Sequence, residues 1–177
     1  MESNNVSNWK VGEIHALPWT STVIKKSAST TYKHYYSSRF ICIREENGEQ
    51  PGILLKVLGK ASASEIMMVS GEPFCKDDKD DLLKGKVYSS FRFPALEELA
   101  EVLGVFRENP KLTAMLDEAG MHLSPSSTFW VREAHKTLFQ TKPQFYDAGA
   151  GTLSTSPDDA SHYRLSILYF HKGKLTY

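Results

Sequence analysis

The chain has 177 residues, 41% of them hydrophobic and 24% charged, with 21 Lys plus Arg against 21 Asp plus Glu. This composition excludes global disorder, collagen and a coiled coil, and fits a single soluble domain over 1–177 with a core that needs no staples. Zero net charge leaves no basic field to hold a phosphate backbone, so no nucleic-acid partner is expected.

Residues 1–10 carry an early acid and no apolar core, so they do not read as a signal peptide. As written, the chain is expected to be cytoplasmic, or at a cell surface if it was trimmed from a longer precursor. No apolar run approaches the roughly 20 residues of a transmembrane helix, so no membrane insertion is expected. Residues 1–38 form a less regular N-terminal segment. Its Trp9, Trp19, Tyr32, Tyr35 and Tyr36 are expected to pack short strands or ordered coil.

The core, 39–177, opens with an apolar, β-branched strand over 40–44, and Asn47-Gly48 predicts a turn after it. Residues 53–58 and 65–69 read as two further strands joined through 59–64. Cys42 and Cys75 are too few for a disulfide scaffold or a four-cysteine zinc site; they form either one bridge or two separate thiols. Residues 76–86 hold the acidic cluster Asp77, Asp78, Asp80 and Asp81. Lys79 and Leu82 stand where an EF-hand loop needs a ligand and a glycine, so the run reads as solvated loop or helix start, a cation site being the alternative.

Pro94 opens a predicted helix over 94–107, with Leu96, Leu99, Leu103 and Phe106 on one face. Asn109 and Pro110 mark the cap and first turn of a second helix. Leu112, Met115, Leu116 and Ala119 form its stripe, and Gly120 is its stop. Residues 128–131 read as a strand, and 141–159, rich in Gly, Ser, Thr, Pro and Asp, as mostly coil. Residues 161–170 alternate, with Tyr163, Leu165, Ile167 and Tyr169 on one face, and read as a strand. Strands, two consecutive helices, then strands and loops predict an α+β fold with an antiparallel or mixed sheet.

Arg92-Phe93-Pro94-Ala95-Leu96-Glu97-Glu98-Leu99 resembles the Arg-Leu-Pro-Thr-x-x-Glu-Leu segment of a bacterial C-type-lectin-like family. That family includes the C-terminal domain of collagen-like adhesins. Pro51-Gly52-Ile53-Leu54-Leu55 and 66–70 are similar to its first strands, and 112–120 to its second helix. Phe129-Trp130 resembles the start of its Tyr-Trp-Ser-Ser-Thr-Glu signature, and Tyr163-Arg164-Leu165-Ser166-Ile167 its closing Val-Arg-Pro-Val strand. Here Val131-Arg132-Glu133-Ala134 replaces Ser-Ser-Thr-Glu, Ala95 replaces Thr, and Ser166 the closing proline.

The resemblance spans 50–170 and implies a C-type-lectin-like fold: two helices against a twisted sheet, neighbouring termini and long loops used for binding. Arg92, Pro94, Glu98, Leu99, Trp130 and Arg164 are then structural motif residues, with Arg92 and Glu98 pairing across the strand–helix junction. Trp130 reads as a core tryptophan under the loops, or else as part of a binding surface. Oxidases on the same fold use cysteines late in the chain, whereas both cysteines here precede Phe91.

His15, His34, His122, His135, His162 and His171 form no metal-binding pair at helical spacing. A meeting of His135 with His162 would have to come from the fold. There is no Gly-x-Ser-x-Gly elbow, and Gly149-Ala150-Gly151 lacks the third glycine and flanking elements of a dinucleotide loop. Glu97, Glu98 and Glu101 suit the positive end of a helix dipole. No enzyme activity, metal or cofactor is expected.

Phe139, Phe145, Tyr146 and Asp147 lie among small polar residues, the composition of an adaptable paratope or of a surface loop packed by its own aromatics. The expected function is a non-enzymatic binding module that recognises a protein or glycan ligand through the loops of 132–160. The alternative is an intracellular accessory or structural protein acting by oligomerisation.

Overall fold

The computed structural model describes residues 9–24, 31–69, 71–75, 86–89, 92–157 and 159–176. Among the described residues are eleven strands and two α-helices in an α+β arrangement. The acidic cluster Asp77, Asp78, Asp80 and Asp81 lies outside them, as do the side chains of Cys75, Trp19, Tyr32, Tyr35 and Tyr36.

The N-terminal segment is more regular than expected. β1 (Ile14–Ile24) and β2 (Thr31–Arg44) pair antiparallel from Ile14↔Ile41 to Ile24↔Thr31. Asn47 then turns the chain: its Oδ1 accepts the N–H groups of Glu49 and Gln50 at 3.0 and 2.7 Å. An asparagine side chain that mimics a backbone acceptor is the usual reason for this residue at a turn. β3 (Gly52–Ser62) follows and runs through most of the expected connection. A short 3-10 turn, Ala63–Glu65, leads into β4 (Ile66–Val69), which pairs only with β5 (Glu72–Cys75) in a separate two-stranded sheet.

β6 (Lys86–Ser89) adds to the outer edge of β1. The helices are α1 (Leu96–Glu108) and α2 (Lys111–Glu118), two residues shorter at the first N-terminus than the sequence suggests. Ala95 is extended and serves as the N-cap, so the helix starts only at Leu96, with Pro94 just outside it. Gly120, at φ +77°, closes α2 in the left-handed conformation that side chains disfavour.

The largest departure from the sequence reading lies at 141–159. That stretch is not mostly coil. β7 (Thr128–Lys136), β8 (Thr141–Asp147) and β9 (Thr152–Thr155) form an antiparallel ribbon with short turns. The long loops of 132–160 therefore do not exist as such. Short threonine-rich strands exposed on one face lack a continuous apolar run, which is why composition reads them as loop.

β10 (Ser161–His171) pairs antiparallel with β3 along its whole length and parallel with β7 at Tyr163↔Phe129. β11 (Lys174–Thr176) folds back on its end. The sheet order is β6-β1-β2-β3-β10-β7-β8-β9, so the sheet is mixed but mostly antiparallel. The β3–β10 register slips between Arg164 and Leu165, opposite Gly59 at φ +87°. Arg164 stabilises that irregularity by donating to the carbonyls of Leu58 and Gly59 at 2.6 and 3.4 Å.

Both faces of the sheet centre are covered. Ile41, Ile43, Ile53, Leu55, Leu165 and Ile167 pack against Leu99, Val102, Leu103 and Phe106 of α1 and Leu112 and Leu116 of α2. On the other face Phe40, Cys42, Leu54, Leu168 and Phe170 meet Trp9 and Leu17. Fully burying a side chain of this size contributes about 1.5–3 kcal/mol. Cys42 is a free, buried thiol, pushed up to about 12 by burial, so it does not form the bridge that the sequence left open.

Candidate functional site

The ribbon β7–β9 begins inside the core and ends outside it. Phe129, Trp130 and Val131 are fully buried, and from Arg132 onward the strand emerges. A register shift between Trp130 and Ala134 marks the exit.

At that point β7 organises the start of α1. The backbone N–H of Arg132 donates to Pro94 O at 2.9 Å, and its guanidinium to Phe93 O at 3.1 Å and Glu98 Oε1 at 3.1 Å. Glu98 also accepts the N–H of Ala95 at 3.1 Å. The carboxylate of Glu133 accepts the N–H of Leu96 at 2.9 and 3.1 Å. Ala95 has no side-chain acceptor for the first turn, so Glu133 on a distant strand supplies it.

Arg92 and Glu98 do not pair with each other. Arg92 faces Glu72 at 3.7 Å, while Glu98 is taken by Arg132. Arg92 is held instead by the neighbouring hairpin, through Glu72 of β5. Pro94 and Leu99 are both buried at this junction.

The next layer is an aromatic box around His162, the one histidine among the described residues that is buried. Its Nε2 lies 2.7 Å from Ser156 Oγ and its Nδ1 2.7 Å from Thr128 Oγ1. Phe145 stacks on the ring at 3.9 Å and 7°, and Trp130 meets it edge-on at 4.8 Å. Trp130 Nε1 donates to Ala61 O at 2.9 Å, which makes this the core tryptophan of the two readings. Burial, aided by Lys60, holds the imidazole below its ordinary range. A serine and a histidine are in contact here, but the group that orients the ring is a threonine hydroxyl rather than a carboxylate. His135 is six residues beyond Phe129 on β7, about 20 Å along the strand, so it does not meet His162.

Three of the four residues singled out as ligand contacts serve the scaffold. Phe145 is half-buried in the box, and Tyr146 packs against the helix-facing core. Asp147 Oδ1 accepts the N–H groups of Gly149 and Ala150, both at 3.0 Å, closing the β8–β9 turn.

Phe139 is different. It lies with Leu138 at the tip of the β7–β8 hairpin, and the two are 93% and 96% exposed. The turn is tightly bonded. Thr137 N–H donates to Gln140 O at 2.7 Å, and Thr137 Oγ1 accepts the N–H groups of Gln140 and Phe139 at 3.0 and 3.4 Å. Leu138 escaped the sequence reading; adjacent leucine and phenylalanine between lysine-bearing polar flanks were the available signal. From Ala134 to Tyr146 the chain has no carboxylate, and His135, Lys136 and Lys142 are exposed on the two strands.

Among the described residues no three His, Cys, Asp or Glu side chains are grouped to hold a metal ion. No protein-family model, curated protein or solved structure matches the chain.

Proposed function

We propose that the protein is a non-enzymatic binding module whose contact surface is the tip of the β7–β8 hairpin, anchored by Leu138 and Phe139. The observation that carries this reading is the near-complete exposure of two adjacent large apolar side chains on a turn locked by Thr137 and Gln140. Isolated exposed apolar residues are ordinary; a rigid pair at the outermost point of a ribbon is an anchor held ready for use. Rigidity matters because little ordering entropy is then lost on docking. Of the two ligand classes expected from the sequence, a bare glycan fits less well, since an aliphatic–aromatic pair gains most from an apolar target.

The C-type-lectin-like reading of the scaffold belongs to this proposal. Its support is the shared motif order together with β3 and β10, the strands that open and close the resembling region, lying side by side. The two helices between β3 and the β7–β9 ribbon also fit it.

The test is a photoreactive benzoylphenylalanine at position 139, compared with the same group at exposed Glu118 on α2. Adducts specific to 139, whether with protein or lipid, are expected. Equal labelling at both positions would remove the hairpin from consideration.

A further inference from the structure

The hairpin tip has three features that together select a target. The first is depth. Lys136 pairs with Thr141 on the last rung before the turn and Lys142 with His135 one rung lower, so both lysine positions lie within about 10 Å of the tip, a strand rising about 3.3 Å per residue. Apolar side chains of interfacial elements enter a bilayer by about 5–10 Å, to the boundary between headgroups and acyl chains. Both lysines therefore stand near headgroup level when the tip is immersed, Lys136 with its ammonium over Gly71 of the β4–β5 turn.

The second feature is backbone satisfaction. Lipid offers no hydrogen-bond partner, so any open N–H carried into it is costly. Three of the four N–H groups of the turn, those of Thr137, Phe139 and Gln140, are bonded within it, and Gln140 O accepts twice. The tip can leave water without stranding those groups.

The third is charge. No carboxylate occurs between Ala134 and Tyr146, and only uncharged Thr137, Gln140 and Thr141 separate the lysines from the apolar pair. On β5, beside the ribbon, Glu72 faces Arg92. A stable protein interface buries about 800 Å² on each partner. Two side chains above a cationic collar supply far less unless the partner is a matching socket, whereas a bilayer demands no complementary shape.

We infer that the β7–β8 hairpin is a peripheral anchor for anionic lipid bilayers, with Leu138 and Phe139 at the acyl boundary and Lys136 and Lys142 among the phosphate headgroups. This rests on the tip being the contact surface proposed above. No helix among the described residues is long and apolar enough to cross a membrane; the anchor rests at the surface.

The experiment is co-sedimentation of the whole chain with vesicles of phosphatidylcholine alone or with one-third phosphatidylserine, at low and high salt. The chain is expected to bind the anionic vesicles at least about tenfold more tightly than the neutral ones, with attraction weakened by salt. L138S/F139S, which removes no buried packing, is expected to reduce anionic binding at least about tenfold while leaving the urea midpoint unchanged. K136Q/K142Q is expected to abolish most of the salt dependence. Absence of binding to anionic vesicles, or binding untouched by L138S/F139S, would overturn the inference. A protein adduct at position 139 with no vesicle binding would leave the contact surface standing and reject the bilayer as its target; failure of both assays would reject both.

Discussion

Phe170 fills the space that a side chain on Gly52, its register partner across β3 and β10, would need. A Cβ at Gly52 would lie 2.1 Å from Phe170 Cζ, and the ring is fully buried with Trp9 5.7 Å away. Gly52→Ala should therefore overpack the face opposite the helices and cost about 1–3 kcal/mol. Gly48→Ala, where the same atom meets nothing within 4 Å, is the control. Urea denaturation midpoints decide it: equal midpoints for the two variants would mean the ring moves aside at no cost.

The helix-facing core makes a second prediction. Leu99 and Phe106 are almost wholly buried on α1. Leu99→Ala should cost about 2–5 kcal/mol and Phe106→Ala about 3–5. Phe139→Ala, at the exposed tip, should stay within about 0.5 kcal/mol of the parent. A near-neutral Leu99→Ala would contradict the packing of α1 on the sheet.

His162 makes stability depend on pH. Burial, then Lys60, lowers its folded-state pKa, while Asp147 partly opposes them. The unfolded chain then binds the proton first on acidification. Its contribution is complete above about pH 6.5, the unfolded value, and is lost as pH falls from there through the folded value. His162→Gln should flatten that part of the profile. Urea midpoints measured from pH 7.5 to 5 provide the check, and an unchanged slope in the variant would assign the acid sensitivity elsewhere.

Arg92 and Arg132 should differ although both are partly exposed arginines facing a glutamate. Arg92 has one half-exposed contact at 3.7 Å, so Arg92→Ala should cost no more than about 0.5 kcal/mol. Arg132 bridges Phe93 O and Glu98 at the start of α1, and Arg132→Ala should cost about 1–2 kcal/mol. Thermal unfolding of both variants measures the difference. The reverse order would mean that the β5 contact, not the β7 bridge, holds the junction.

Much of this fold is legible residue by residue wherever the signal is local. The 96/99/103/106 spacing marks the buried face of α1 because side chains three and four apart share a side of any helix. Asn47 marks its turn because its own side chain closes it. The candidate site was legible only in part. Phe139, Phe145 and Tyr146 look alike in the sequence, and nothing in their composition separates an exposed ring from two that pack inward.

That separation depends on where the hairpin turns. Phe145 and Tyr146 lie on β8 and pack against different parts of the core, whereas Phe139 lies in the turn beyond the ends of both strands. The register shift between Trp130 and Ala134 is of two residues, which keeps the alternation of faces in phase, and it marks where the ribbon leaves the core. The two helices, their apolar faces and the alternation of β10 can be read from residue spacing alone, because each follows from the geometry of one element. Three features arise only on folding: Glu133 caps α1 from 37 residues away, Thr128 reaches His162 from 34 residues away, and Leu138 and Phe139 crown an exposed turn. Those contacts join elements whose relative placement no local periodicity encodes; the packing of the whole chain sets it.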